Sequence, residues 1–404
     1  MGKVNRPAVT EVLPRKRLFD RLDLLRKRPV IWVNGPPGCG KTTLVSSYLD
    51  ARKFPCLWYQ VDAGDADPAT FFYYLAQAAK RAAPRKRRPL PLLTPEYLQG
   101  IPAFTQRYFD NLYSRLKIPS VLVFDNCQEV PPGSQFHEVI LNGLSNLPEG
   151  MNAILISRSD PPPIFARLRA NEIMGVLGWT ELRLTLKEGA GIARLKTKAR
   201  YSKEAISRLY NSIDGWVAGL ILMLESVKER EVEPRRLGKL PPEEIFEYLA
   251  SEIFEKTEKD IQDFLLKTAF LPKMTPRMAE NLTGLPSANR ILSELSRTHY
   301  FTEKRLQLEP MYQYHPLFRE FLLARAKETY PPEDLSFLID RAAGLLEEGG
   351  QPEASVALLQ ENENWVKLGR FILKHAPVLA SQGRNQTLGQ WLISLPKEIL
   401  EGDP

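Results

Sequence analysis

Gly35-Pro36-Pro37-Gly38-Cys39-Gly40-Lys41-Thr42 fits the spacing GxxxxGK[ST], and Thr43 follows directly. These residue types suit a loop that cradles phosphate. Glycines let successive backbone N–H groups converge on phosphate oxygens, and a helix starting behind the loop turns its positive end towards them. In such a loop Lys41 reaches the β- and γ-phosphates, and Thr42 offers its hydroxyl to Mg²⁺. ATP or ADP with Mg²⁺ is the expected ligand. Cys39 reads as a small loop residue without a redox role.

The Mg²⁺ shell also needs an acid at the end of a neighbouring strand, and Val121-Leu122-Val123-Phe124-Asp125 supplies it. The position after that acid often polarises the attacking water, and here it is Asn126. An amide orients water but takes no proton, so slow hydrolysis is expected. Glu129 and Asp62 are the nearest carboxylates in sequence that could substitute. Arg158 follows the apolar run Ile154-Leu155-Ile156 and Ser157, at a strand end facing the ligand crevice of such sheets. It reads as a γ-phosphate sensor or as half of a surface ion pair. Lys41, Asp125, Asn126, Glu129 and Arg158 form the expected hydrolytic set. His315 precedes Pro316 at a helix start, and composition alone favours a cap or a core residue there.

These groups need a scaffold, and the apolar pattern describes one. Lys16 to Arg28 places Leu18, Phe19, Leu22 and Leu25 on one helical stripe. Val30 to Val33, Cys56 to Val61, Val121 to Phe124 and Ala153 to Ile156 are short apolar runs typical of buried parallel strands. The run after the loop, from Leu57 to Val61, suits a P-loop branch with an inserted strand between loop and acid. Alternation with helical segments predicts a P-loop parallel sheet with helices on both faces, ending near residue 180. Helical patterns follow over 187–198, 203–213 and 216–227, then a charged, proline-rich linker over 229–242. Short helices across 243–297, an alternating hairpin over 300–315 and a helix from Pro316 suggest a winged helix. Helical pairs from Pro332 onward look like the start of an α-solenoid of TPR type. The expected domains are 1–180, 181–240, 241–330 and 331–404. The run to Pro404 lacks an obvious capping helix, as expected of a piece of a longer protein.

Composition excludes several classes. At 404 residues the chain is too long for one core, and 43% apolar with 25% charged residues is ordinary for a globular protein. Three cysteines without CxxC spacing exclude a disulfide scaffold or structural zinc site. Neither a signal peptide nor an apolar run long enough for a bilayer occurs, so a cytoplasmic protein without membrane contact is expected. The net charge is +7, and residues 1–30 hold nine Lys/Arg against three acids. Arg85-Lys86-Arg87-Arg88 is a second cluster. Such stripes can hold nucleic acid, but a solvated loop and helix face is the plainer reading.

The whole pattern resembles a family. Trp58-Tyr59-Gln60-Val61-Asp62, continuing through Asp65, Asp67, Phe71 and Leu75, is similar to the second-strand signature of the STAND signalling ATPases. The nearest likeness is to the maltose-regulon activator type and the large LuxR-type regulators of bacteria. Val121 to Val130, Ile154 to Arg158, Asp214 to Leu220 and Tyr314 to Phe318 agree in order and spacing. The resemblance implies a nucleotide-binding domain, a helical domain, a winged helix and a helical arm leading to a superhelical sensor. It also implies a switch, in which a closed ADP-bound monomer opens with inducer and ATP into an oligomer. In this family the winged helix packs on the nucleotide and carries a histidine onto it, which gives His315 a role and makes direct DNA binding by these residues unexpected. Asn126 departs from the usual second acid, and the sensor, the inducer's site and the effector lie outside this chain. The competing reading is a nucleic-acid-dependent motor or loader that uses the basic N-terminus and winged helix.

Overall fold

The computed structural model describes residues 2–9, 12–86, 88–94, 97, 100–197, 210, 215–228, 247, 250–251, 254–255, 257–297, 301–305, 309–397 and 399. The linker expected over 229–242, and the helix expected over 203–213 apart from Tyr210, lie outside them.

Five strands, β1 (Val30–Asn34), β2 (Cys56–Gln60), β3 (Ser120–Asp125), β4 (Met151–Ser157) and β5 (Met174–Leu177), form a parallel sheet in the order β2-β3-β4-β1-β5. Side chains of β1 alternate between two cores. Ile31 and Val33 join one, Val30 and Trp32 the other, so both faces need covering helices. Helices α1 (Lys16–Leu25), α2 (Lys41–Arg52), α3 (Pro68–Ala82), α4 (Ile101–Tyr113) and α5 (Gln135–Leu144) supply the cover. The stripe Leu18, Phe19, Leu22 and Leu25 is buried as its spacing requires.

Two features correct the strand reading. The strand inserted between β1 and β3 is β4, buried along all seven residues, whereas β2 lies at the sheet edge with Cys56 half-buried. Sequence adjacency misleads here because a strand covered on both faces and both edges belongs in the middle. The second feature is β5, which adds a fifth strand. Its Gly175 leaves room for α1, since a β-carbon there would lie 2.7 Å from Leu25 Cδ2.

Beyond the sheet, helices Leu186–Thr197 and Val217–Lys228 pack together. Three helices (Lys259–Thr268, Pro276–Thr283, Ala288–Arg297) precede an antiparallel hairpin of β6 (Thr302–Arg305) and β7 (Met311–Tyr314), widened by a bridge from Met274 to Tyr312. Helix Pro316–Thr329 completes this winged-helix arrangement. The arm is Pro332–Glu348, Pro352–Glu361, Trp365–Ser381 and Asn385–Ile393, and its third helix continues past His375 through Pro377.

The arm folds back onto α3. Asp67 caps α3 at Ala69 N (2.9 Å) and accepts from Thr70 Oγ1, and it also accepts from the Thr387 hydroxyl at 2.5 Å. Arg384 Nε donates to Thr70 Oγ1 at 2.7 Å and pairs with Glu353, which accepts from Tyr74 OH at 3.1 Å. Asp67→Ala removes an N-cap worth about 1 kcal/mol and strands donors at a penalty of about 1–3 kcal/mol. Urea unfolding should therefore show a loss of about 2–4 kcal/mol, against a change within about 0.5 kcal/mol for the exposed Glu348→Ala. Equal small changes would contradict the clasp.

Candidate functional site

Parallel strands end together, and that places the chemistry. Asn34 pairs in register with Ser157 and Gln60 with Asp125, so the glycine-rich loop, Asp125 and Arg158 emerge on one edge of the sheet. The loop needs its glycines. Gly38 and Gly40 have φ of +73° and +83°, and a β-carbon on Gly38 would lie 2.6 Å from that of Ala218.

The carbonyls from Gly35 to Gly38 are all engaged. Lys41 Nζ donates to Gly35 O at 2.6 Å and Pro36 O at 3.0 Å, with Cys39 Sγ 3.7 Å away. Trp216 Nε1 donates to Pro37 O at 2.8 Å, and Ala218 N to Gly38 O at 3.0 Å. The segment from Gly215 to Leu220 is thus docked on the loop, and Gly215 fits beside Leu184 with φ +75°. Burial pushes the Lys41 ammonium down and the Cys39 thiol up. Thr42 Oγ1 donates to Asp125 Oδ1 at 3.0 Å, so the two expected Mg²⁺ partners already touch.

A cavity of about 310 Å³ opens over the loop. One part is apolar, walled by Val12, Leu13, Ile192, Leu195, Val217 and Ile221. The other is charged. Asp125 is the sole carboxylate among the described lining residues, against Arg15, Lys41, Arg158 and Lys196. Asn126, left-handed at φ +67°, also lines it. So does Gln128, whose Oε1 accepts from Arg158 N at 3.0 Å and whose Nε2 lies 3.5 Å from Asn126 Oδ1. Glu129 is exposed and accepts from Gln128 Nε2, while Asp62 pairs with Lys3 at 2.6 Å and caps a turn. Neither lines the cavity. Arg158 lines it and also meets Glu320 of the winged helix at 3.9 Å.

His315 reaches the same cavity from the far side, together with Thr302, Gln313 and Tyr314 of the hairpin. It occupies the cap position of helix Pro316–Thr329, yet its side chain makes no capping hydrogen bond. Its backbone N–H donates to Phe301 O at 2.7 Å, which pins the ring's position against the hairpin.

Sequence reasoning missed Gln128 and Arg15. After the left-handed Asn126 a short 3-10 turn brings Gln128 rather than Glu129 to the cavity, and no spacing rule signals that. Arg15 is buried, and its Nη2 donates to Leu182 O (2.7 Å), Arg183 O (2.9 Å) and Glu188 (3.2 Å). The basic N-terminus is largely consumed in this way. Lys3 binds Asp62 and Asp65, Arg6 binds Asp50, Arg17 binds Glu188 and Arg21 binds Glu181. A solvated face was the expectation, but these acids come from distant segments that fold against it.

Comparison with known proteins agrees with this architecture. The family profile described as AAA domain matches residues 25–160, and that of the MalT winged helix domain matches residues 250–334. The chain is 26% identical over 410 aligned positions to the HTH-type transcriptional regulator MalT of Yersinia enterocolitica, covering 100% of this chain and 45% of that protein. The MalT of Serratia proteamaculans is 27% identical over the same span. The chain therefore spans about half the length of the curated relatives it matches. Among solved structures, a STAND ATPase with a tetratricopeptide repeat sensor from Pyrococcus horikoshii has the same fold, with a TM-score of 0.63, 16% identity and coverage of 99% of this chain and 60% of that one. No described helix is long and apolar enough to cross a membrane.

The His315 ring makes the site pH-sensitive. Burial, then the charges of Arg158 and Lys41, hold it down at about 4, whereas an unfolded histidine titrates near 6.5. Between these values the folded state binds fewer protons than the unfolded one, so its stability must fall as pH drops from about 6.5 towards 4. We expect His315→Gln to flatten that part of the stability–pH curve of the ligand-free chain in denaturant titrations. A curve identical to the wild type would contradict a ring held neutral in the fold.

Proposed function

We infer that this chain, a P-loop module of the MalT-type STAND signalling ATPases by fold and by sequence likeness along its whole length, is a nucleotide-driven switch within a larger regulator. ADP holds it closed as a monomer. An inducer acting through a sensor beyond these residues, together with ATP, opens it into an oligomer. The observation that carries this reading is a single cavity walled by the P-loop, by the docked segment around Trp216, and by the winged-helix residue His315. A ligand in that cavity joins all three parts, so its charge state can decide whether they stay together.

The residues fit the ligand. Four cations against one carboxylate favour a polyanion, and the apolar part suits a purine. In this reading residues 35–43 hold the phosphates, and Arg158 and His315 contact them from opposite walls. Thr42 and Asp125 are adjacent hard oxygen donors, as Mg²⁺ requires when it completes its shell with phosphate and water. Held there, Mg²⁺ would supply positive charge to the nucleotide's phosphates. Hydrolysis of ATP to ADP and phosphate is slow in this account. Asn126 and Gln128 can orient the water, but neither accepts its proton. Hydrolysis then resets the switch rather than driving metabolism. A DNA-driven motor has weaker support, because the N-terminal cations are held in internal ion pairs and the wing faces the cavity.

Calorimetry should find that Lys41→Ala abolishes ATP and ADP binding, and that Asp125→Ala removes its Mg²⁺ dependence. Unchanged affinity in the first variant would sink the phosphate-loop assignment. His315→Ala should weaken ADP more than ATP. A hydrogen bond to a charged group is worth about 1.5–3 kcal/mol, or roughly 10–150-fold. Inverting a switch from 1:99 to 99:1 takes about 5.5 kcal/mol, so the variant should open only partially by sedimentation. Equal losses for both nucleotides would return His315 to a structural role.

A further inference from the structure

We propose that the end of the sheet opposite the nucleotide cavity is a contact surface for the phosphate backbone of duplex DNA. In a parallel sheet all strand starts lie at that end, and the connections reaching them carry Lys53 before β2, Arg81, Arg85, Lys86 and Arg88 after α3, and Lys117 before β3. All six side chains are exposed, and among the described residues none makes an ion pair. Three contacts tie these connections together. Arg115 Nη1 and Nη2 donate to Arg88 O (2.6 Å) and Pro89 O (3.0 Å), which fastens the basic loop to the end of α4. Val121 N donates to Pro55 O at 3.0 Å, joining the starts of β2 and β3. Neighbouring strands lie about 4.8 Å apart, and β2 and β3 are neighbours, so Lys53 and Lys117 precede adjacent strand starts. Glu149 and Glu172 stand further along the sheet, before β4 and β5.

This cluster differs from the N-terminal one, most of whose cations are held in internal pairs. Unpaired like charges held together by the fold repel one another, and a polyanion relieves that repulsion. Duplex DNA offers one phosphate per about 1.7 Å of axis and releases counterions on binding. The six residues are all Lys or Arg, without an Asn or Gln among them to read base edges, so their contact is with the backbone and independent of sequence. A protein partner would need an apolar centre, whereas this loop is bracketed by Pro84 and Pro89.

The test is fluorescence anisotropy of a labelled random 30-bp duplex with the full 404-residue chain, between 50 and 200 mM NaCl. We expect salt-steep binding, and the triple variant Arg85→Glu/Lys86→Glu/Arg88→Glu should weaken it at least tenfold and flatten the log–log salt slope by about 3. The double variant Lys53→Glu/Lys117→Glu should weaken it in the same direction, which keeps the test alive should the triple variant misfold. Lys259→Glu/Lys327→Glu/Arg370→Glu, with equal charge change at exposed sites elsewhere, should leave the slope within about 1. Lys41→Ala should bind DNA like the wild type, which separates this surface from the nucleotide site. Absence of binding at 50 mM, equal losses in the distant triple variant, or low-salt self-association of the chain in place of DNA binding would each overturn the proposal.

Discussion

A loop that reserves its N–H groups for phosphate must find other partners for its carbonyls, and buried carbonyls without partners are costly. Here the four carbonyls from Gly35 to Gly38 are taken by Lys41, Trp216 and Ala218. Two of these donors come from a segment nearly two hundred residues away. The helical segment is therefore more than a neighbour of the cavity, because it completes the loop's hydrogen bonding and brings Val217 and Ile221 to the apolar wall.

Charge decides what the cavity can do next. The described lining places four cations around one carboxylate, and that carboxylate is already engaged by Thr42. Such a field favours phosphate groups and holds the His315 ring neutral. The clasp between α3 and the arm adds a second restraint, since Asp67 serves both as helix cap and as acceptor for Thr387.

Local chemistry was legible in the sequence, and long-range placement was not. The phosphate loop, Asp125 and Arg158 each sit at the end of an apolar run, so their shared edge follows from parallel strands alone. The sheet order did not follow, because β4 and β2 are both apolar and only packing puts β4 inside. β5 is four residues long and contains a glycine, below the length at which alternation or burial can be read. Gln128 replaced Glu129 at the cavity through one left-handed residue, Asn126. The basic N-terminus looked solvated because its partners Asp62, Glu181 and Glu188 are remote in sequence. The docking of Gly215 to Leu220 on the loop was visible only as part of a motif agreeing with a family, without the reason for it.

The central claim is that this cavity retains ADP in a closed chain. The most direct measurement is to purify the chain without added nucleotide, denature it, and identify and quantify what is released. The account predicts ADP close to one equivalent per chain from the wild type and none from Lys41→Ala. Wild-type protein that releases no nucleotide, or releases ATP in place of ADP, would contradict it.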